Sequence, residues 1–255
     1  MSNCAVIIPA LNPDPSLLSF VQDLLAQNIP WVIVVNDGSR QECLPLFSAL
    51  ANQKGCIVLT HSENKGKGRA LKDAFIYVSE NLPQVDGVVT ADADGQHSVK
   101  DICHIANLLQ GSNSPIFLGT RDFRKANVPI RSLWGNTVTS ILFKLLYGCY
   151  LKDTQTGLRG FPTSHLAWLI KVAGERFDYE MNVLIQARHH HATFQQVAID
   201  TIYYQNNKGS HYSSFQDSMR IFGRLLSGLL QYSFSSALSA IVDVLLFLLC
   251  NMVLF

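Results

Sequence analysis

Apolar runs that are continuous, and not alternating, take turns with helical patterns through the first half of this chain. CAVIIPAL precedes a helical stretch from Ser16 to Gln27, and WVIVVN precedes one from Glu42 to Asn52. CIVLTH then leads to Gly68–Ser79, VDGVVTAD to Val99–Leu109, and PIFLGT to a change of pattern. A strand with one wet face would show a polar residue at every second position, so uninterrupted runs imply burial on both faces. Strands of that kind, separated by helices of about ten or more residues, predict an α/β fold: a mostly parallel sheet with helices on both faces. Ligands of such sheets bind beyond the carboxyl ends of the strands, which directs attention to the polar residues that follow each run.

Beyond Thr120 the periodicity becomes helical. Ile130, Leu133, Trp134, Val138, Ile141, Leu142, Leu145 and Leu146 recur at three- and four-residue steps, with Arg131, Asn136, Ser140 and Lys144 interspersed. Phe215, Met219, Phe222, Leu226 and Leu229 repeat the pattern opposite Gln216, Arg220 and Arg224. Either helix alone is expected to pack on the sheet, whereas two beside a membrane span suit a lipid interface. Such a span is expected from Ala237 to Phe255, ALSAIVDVLLFLLCNMVLF, since about 20 apolar residues cross a hydrocarbon core; a buried terminal helix is the alternative. Asp243 within the run predicts further helices or subunits around it. Three segments follow: a globular domain over 1–210, a juxtamembrane amphipathic helix over 211–232, and a transmembrane helix over 233–255. His189-His190-His191 is too short a run to be read as a metal site and is expected to end a helix in solvent.

A net charge of +1 lacks the basic excess that phosphate neutralisation on nucleic acid requires, so no nucleic-acid partner is expected. The six cysteines are scattered, none in a CxxC pair, and most lie in apolar runs, which fits free thiols in a reducing cytosol. The N-terminus has no basic region before its apolar run, which Pro9 closes early, and so reads as a strand and not a signal peptide.

The strongest chemical signal is Asp92-Ala93-Asp94, directly after the run ending at Thr90 and followed by Gly95-Gln96-His97. Two carboxylates leaving one strand end can hold a hard divalent cation on a diphosphate, although DxD alone also occurs as a solvated turn. Pro9-Ala10-Leu11-Asn12-Pro13-Asp14 and Asn36-Asp37-Gly38-Ser39 follow the first two strands and converge on the same rim. Asn64-Lys65-Gly66-Lys67-Gly68-Arg69 opens a helix after the third, where glycines permit close backbone approach and basic groups with helix N-terminal amides suit phosphate. It is neither a Walker loop nor GxGxxG.

In this order, PALNPD, VVNDGS, NKGKGRAL and DADGQH resemble family 2 glycosyltransferases of the GT-A type, especially the branch acting on dolichol or polyprenyl phosphate. The resemblance runs from about Ala5 to Gln205, with DTQTGLRGF and FDYEMN similar to later elements of that branch. The end of the chain resembles members fused to a GtrA-type membrane domain. The likeness implies a Rossmann-like GT-A fold in which Pro9, Asn12 and Asp37 line the nucleotide pocket, Asp37 on the base, with Lys67 and Asp92 on the donor. It implies Mg²⁺ or Mn²⁺ held by Asp92, Asp94 and Gln96. Arg121 and Arg131 match positions that meet an acceptor phosphate, Arg159 more weakly, and Asp153 is the carboxylate matched to an auxiliary base or orienting role, with Glu180 the alternative. The chain departs from the pattern at Pro13 and at Asn36, leaving UDP against GDP open.

The expected activity is an inverting single displacement from a nucleotide-sugar to polyprenyl phosphate at the cytoplasmic face of the cell membrane, with homo-oligomerisation left open. A saccharide-hydroxyl acceptor and an inactive nucleotide-sugar-binding membrane scaffold are the competing readings. The lack of a Q/RxxRW-type motif counts against a processive synthase, and the lack of a glycine-rich N-terminal loop against a nucleotidyltransferase.

Overall fold

The computed structural model describes residues 3–109, 115–121, 130–200, 223, 233 and 235–244, with the backbone alone over 130–134. Seven strands form one sheet: β1 (Cys4–Ala10), β2 (Trp31–Asp37), β3 (Cys56–His61), β4 (Gly87–Thr90), β5 (Ile116–Arg121), β6 (Arg159–Pro162) and β7 (Phe194–Ile199). Their order is β3-β2-β1-β4-β6-β5-β7. All pairings are parallel except the two made by β6. The helices are α1 (Ser16–Ala26), α2 (Leu44–Ala51), α3 (Lys67–Asn81), α4 (Val99–Leu108), α5 (Ile130–Tyr147), α6 (Leu166–Leu169) and α7 (Asp178–His189).

The continuous apolar runs are buried on both faces, as their composition requires. Ala5 and Ile7 of β1 join Ala70, Phe75 and Leu184 in one core, while Val6 and Ile8 join Leu17, Leu24 and Ile102 in the other. Successive side chains on a strand point to opposite faces, so each run feeds two cores at once. Full burial of one such side chain contributes about 1.5–3 kcal/mol, which makes the run itself the main determinant of the sheet. Cys4 and Cys56 belong to this packing, and burial pushes their thiols up to about 12 and about 11 respectively.

The chain leaves β1 toward β2 on one side and returns to β4 on the other. Connections that diverge from neighbouring carboxyl ends leave a crevice between them, and the residues after β1, β2 and β4 open into it. The antiparallel strand is β6. It wedges between β4 and β5 with Thr90 opposite Arg159 and Val89 opposite Gly160. Because β6 runs against its neighbours, the segment that enters it, residues 153–158, lies at the same rim as the ends of β4 and β5.

The helix expected from Ile130 is α5, and the histidine run ends α7 with His189, His190 and His191 exposed. Among the described residues no helix is long and apolar enough to cross a membrane. Residues 235–244 are helical and expose Leu238, Ile241, Val242 and Val244. The remainder of the expected span, and the helix expected from Phe215 to Leu230 apart from Gly223, lie outside the described residues.

Candidate active site

Asp92 stands two residues past β4, in the crevice, and is gripped from two directions. Its Oδ1 lies 2.6 Å from Lys67 Nζ, and its Oδ2 lies 3.4 Å from Nε2 of the buried His97. Lys67, the first residue of α3, reaches Glu180 of α7 as well, at 3.0 Å. Burial opposes charge on Asp92, but the Lys67 ammonium, with His97 beside it, outweighs this and holds the carboxyl far below the usual range. Asp94 moves the other way: burial and then the Asp92 charge push its carboxyl up, against a backbone hydrogen bond from Gln96 at 3.1 Å. Burial also works against charge on Lys67, and Asp92 and Glu180 more than offset it, raising the ammonium above the ordinary lysine value.

Gly157 makes this arrangement possible. Its backbone passes directly beneath Asp92, so that a β-carbon there would fall inside the carboxylate. Thr90 of β4 donates to the Gly157 carbonyl at 2.8 Å and fixes the crossing. The glycine contributes by having no side chain, a property invisible in a motif read for its polar residues.

The glycines of the Lys65–Arg69 segment serve the fold in a related way. A β-carbon at Gly66 would strike the Glu175 carbonyl, and one at Gly68 would strike Tyr179, so the N-terminus of α3 is docked against residues 175–179. The Arg69 amide, one of the helix N-terminal groups expected to face phosphate, donates to that same Glu175 carbonyl at 3.0 Å. Close approach is therefore made by the protein's own chain. Around it, Arg69 and Lys72 both pair with Glu175, at 2.8 Å in each case.

Asp37 at the end of β2 is buried and holds the loop before α3. Its Oδ1 accepts from the Lys65 amide at 2.9 Å, its Oδ2 from the Gly66 amide at 2.8 Å, and His61 Nδ1 lies 2.7 Å from Oδ1. The other face of the His61 ring meets Asp73 at 3.0 Å. These contacts make Asp37 a clamp for the 61–66 loop before it is anything else. Asn12, at φ 48°, is similarly engaged: its amide donates to Ser39 Oγ and its side-chain oxygen accepts from the Arg40 amide, each at 2.8 Å. Pro9 is half-buried near the end of β1.

Arg121 and Asp153 come together as a pair. The guanidinium donates through Nε to Oδ2 at 2.7 Å and through Nη2 to Oδ1 at 3.0 Å, and Asp153 is almost fully buried. Arg159 is buried beneath this layer, donating to the carbonyls of Thr156, Glu180 and Thr154. It braces the 154–159 turn against α7 and does not open toward an acceptor. The Arg131 side chain lies outside the described residues.

Comparison with known proteins bears on what this crevice is. Residues 5–168 match the model of Glycosyl transferase family 2, which spans all four strand-end motifs and Gly157. The chain belongs to glycosyl transferase family 2. A UDP-N-acetylglucosamine--dolichyl-phosphate N-acetylglucosaminyltransferase of Methanococcus voltae is 30% identical over 246 residues, covering 87% of this chain and 94% of that protein. An uncharacterized protein of Methanocaldococcus jannaschii is 28% identical over 216 residues, covering 81% and 85% of the two. Glucosyl-3-phosphoglycerate synthase from Mycobacterium tuberculosis, crystallised with UDP, shares the fold at a TM-score of 0.67 and 18% identity, covering 88% of this chain and 79% of that one. The same enzyme with Mn²⁺, UDP and phosphoglyceric acid gives 0.65, also at 18% identity, over 88% and 77%.

For this family 2 chain, the donor set can be tested against a divalent ion. Asp92 and Asp94 are hard oxygen donors at one strand end, and the cradle already holds a cation in the form of Lys67. Among the described residues no three acidic, histidine or cysteine side chains gather into a ready-made cage. Magnesium in nucleotide enzymes is commonly held by one or two carboxylates plus substrate phosphates, so the residues fit an ion that shares its coordination with a diphosphate. Gln96, two residues on, is half-buried, and its backbone amide donates to Asp94 Oδ1 at 3.1 Å. Sequence assigns no role to Gly157, His97 or His61, although His97 lies within DADGQH and Gly157 within DTQTGLRGF.

Proposed function

We propose that this chain is an inverting, metal-dependent transferase that moves a sugar from a UDP- or GDP-sugar to polyprenyl phosphate at the cytoplasmic face of the cell membrane. The observation that carries the acceptor class is the state of Asp153. Asp153, the carboxylate matched to an auxiliary-base role, is forked by Arg121 through Nε and Nη2 and so does not stand ready to take a proton from a sugar hydroxyl. A phosphate acceptor is ionised near neutral pH and needs no such base, and positioning with charge neutralisation then carries the rate. The Methanococcus voltae relative, whose name states a dolichyl-phosphate acceptor and which aligns over most of both chains, supports the same class.

In this reading Asp92 and Asp94, with Gln96, would hold Mg²⁺ or Mn²⁺, which when bound supplies Lewis-acid stabilisation of the departing diphosphate. Lys67 adds a positive charge on the donor side, and the clamp made by Asp37 and Asn12 shapes the nucleotide pocket behind Pro9. Arg121 and Arg131 orient the acceptor phosphate, Asp153 holding the Arg121 fork in its plane.

Helix α5 supports a membrane setting. Val138, Ile141 and Leu145 are 36%, 50% and 74% exposed on one face, with Lys144 beside them. Such a face suits the lipid interface, as do the exposed Leu238, Ile241, Val242 and Val244 of the helical stretch at 235–244. The organisation that follows is a catalytic domain over 1–210, a juxtamembrane helix over 211–232 and a membrane helix over 233–255 that begins a GtrA-like domain. Lys208, Arg220 and Arg224 on its N-terminal side favour cytosolic retention of the catalytic domain. Radiolabelled UDP- and GDP-sugars offered with undecaprenyl phosphate in detergent test the reading. Label is expected in the lipid fraction, and transfer to water-soluble saccharides alone would overturn it.

A further inference from the structure

The cradle that would receive a divalent ion is already bridged by a cation of the protein itself. Lys67 Nζ stands between Asp92 Oδ1, at 2.6 Å, and Glu180 Oε2, at 3.0 Å, with the three side chains between 14% and 29% exposed. Its backbone is fixed, because Lys67 begins α3 beside the Gly66 contact with Glu175. Its side chain is a flexible four-carbon stem, so the ammonium can change partners without moving the helix. A divalent ion arriving alone must displace or repel this ammonium at a carboxylate it already neutralises. A diphosphate changes the balance, since it offers the ammonium new oxygens and brings the ion further ligands.

We propose that Lys67 is a resident counter-ion that competes with the divalent cation for Asp92, and that the donor diphosphate draws it away, so that ion and nucleotide bind as a coupled pair. The inference rests on the donor-site reading above and adds to it a coupling between ion and nucleotide carried by Lys67. Coupling is reciprocal: whatever factor the nucleotide adds to ion affinity, the ion adds to nucleotide affinity. Lys67 also gives Asp92 and Glu180 a shared partner, where two acids so close would otherwise repel.

Mn²⁺ binding to the full chain in detergent, measured by electron paramagnetic resonance with and without UDP, and with GDP in its place should UDP not bind, tests this. Wild type should bind Mn²⁺ at least about tenfold more tightly when UDP is present, within the usual range of coupling. Lys67→Gln should bind Mn²⁺ alone at least about tenfold more tightly than wild type, because one repelling charge is gone, and should lose most of the UDP-dependent gain. Glu180→Gln covers the case in which Lys67→Gln does not fold. It leaves the ammonium wholly to Asp92, so Mn²⁺ alone should bind more weakly and the UDP-dependent gain should grow. Mn²⁺ affinity that is unchanged or weaker in Lys67→Gln, or a gain that does not grow in Glu180→Gln, overturns the inference while leaving the donor site standing. No Mn²⁺ binding to any of the three proteins with either UDP or GDP present overturns both.

Discussion

The guanidinium of Arg121 holds the carboxylate of Asp153 in a two-pronged grip, Nε on Oδ2 at 2.7 Å and Nη2 on Oδ1 at 3.0 Å. The Asp153 side chain is fully enclosed, so removing its partner strands a buried charge. Arg121→Ala is expected to cost about 3 kcal/mol or more of stability in addition to activity. Arg121→Lys keeps a charge but loses the fork, and should recover stability better than turnover. Thermal melts beside turnover measurements separate the two, and equal melting temperatures across the series would remove the pairing from the structural account.

Asp92 and Asp94 should respond oppositely to neutralisation in metal-free buffer. Asp92 is held below its unfolded value of about 4, so its contribution is present above that pH and fades as pH falls through the lower folded value. Asp94 is raised by burial and by Asp92, so its contribution is favourable below the unfolded value and becomes a cost as pH rises through the folded one. At pH 7 Asp92→Asn should destabilise the chain by roughly 1–3 kcal/mol, while Asp94→Asn should stabilise it. Both should abolish metal-dependent transfer. A melting series from pH 3 to 8 checks the signs.

Gly157→Ala is expected to fold and yet to work poorly. The added methyl would occupy the place of the Asp92 carboxylate and push it aside. A displacement near 1 Å at a reacting centre is worth about 100-fold in rate, so kcat should fall by that order. Mn²⁺ affinity in the presence of UDP should fall with it; unchanged affinity would mean that the loop yields instead of the carboxylate.

Asp37→Asn should lower stability and nucleotide affinity together. The carboxylate accepts from the Lys65 and Gly66 amides and meets His61, and an amide side chain cannot accept at both of its ends. A loss of about 1–3 kcal/mol from an unsatisfied buried group is expected, with weaker UDP binding by calorimetry. Weaker binding at an unaltered melting temperature would restore Asp37 to a simple base contact.

Charges placed on the apolar face of α5 should weaken membrane association without harming the sheet. Ile141→Glu and Leu145→Glu alter exposed positions that no core residue needs. Sedimentation with vesicles containing anionic lipid should show reduced binding, additively in the double variant, at unchanged melting temperature. Full binding by the double variant would assign that face to something other than lipid.

What the sequence determined alone is the sheet and its active rim. Burial on both faces is written residue by residue into runs such as CAVIIPA and WVIVVND, and a parallel sheet places whatever follows its strands at one edge. Asp37, Asp92 and the start of α3 could thus be assigned to a common crevice from local pattern. Tertiary structure decided how the charges in that crevice are shared. Lys67 is held by Asp92 and Glu180, Asp153 by Arg121, and the glycines at 66, 68 and 157 yield room to other parts of the chain and not to a ligand. These relationships join segments far apart in sequence and depend on β6 running against its neighbours and on α7 docking against α3. A carboxylate or an ammonium has the same composition whether it faces solvent, substrate or a partner, and only packing distinguishes them.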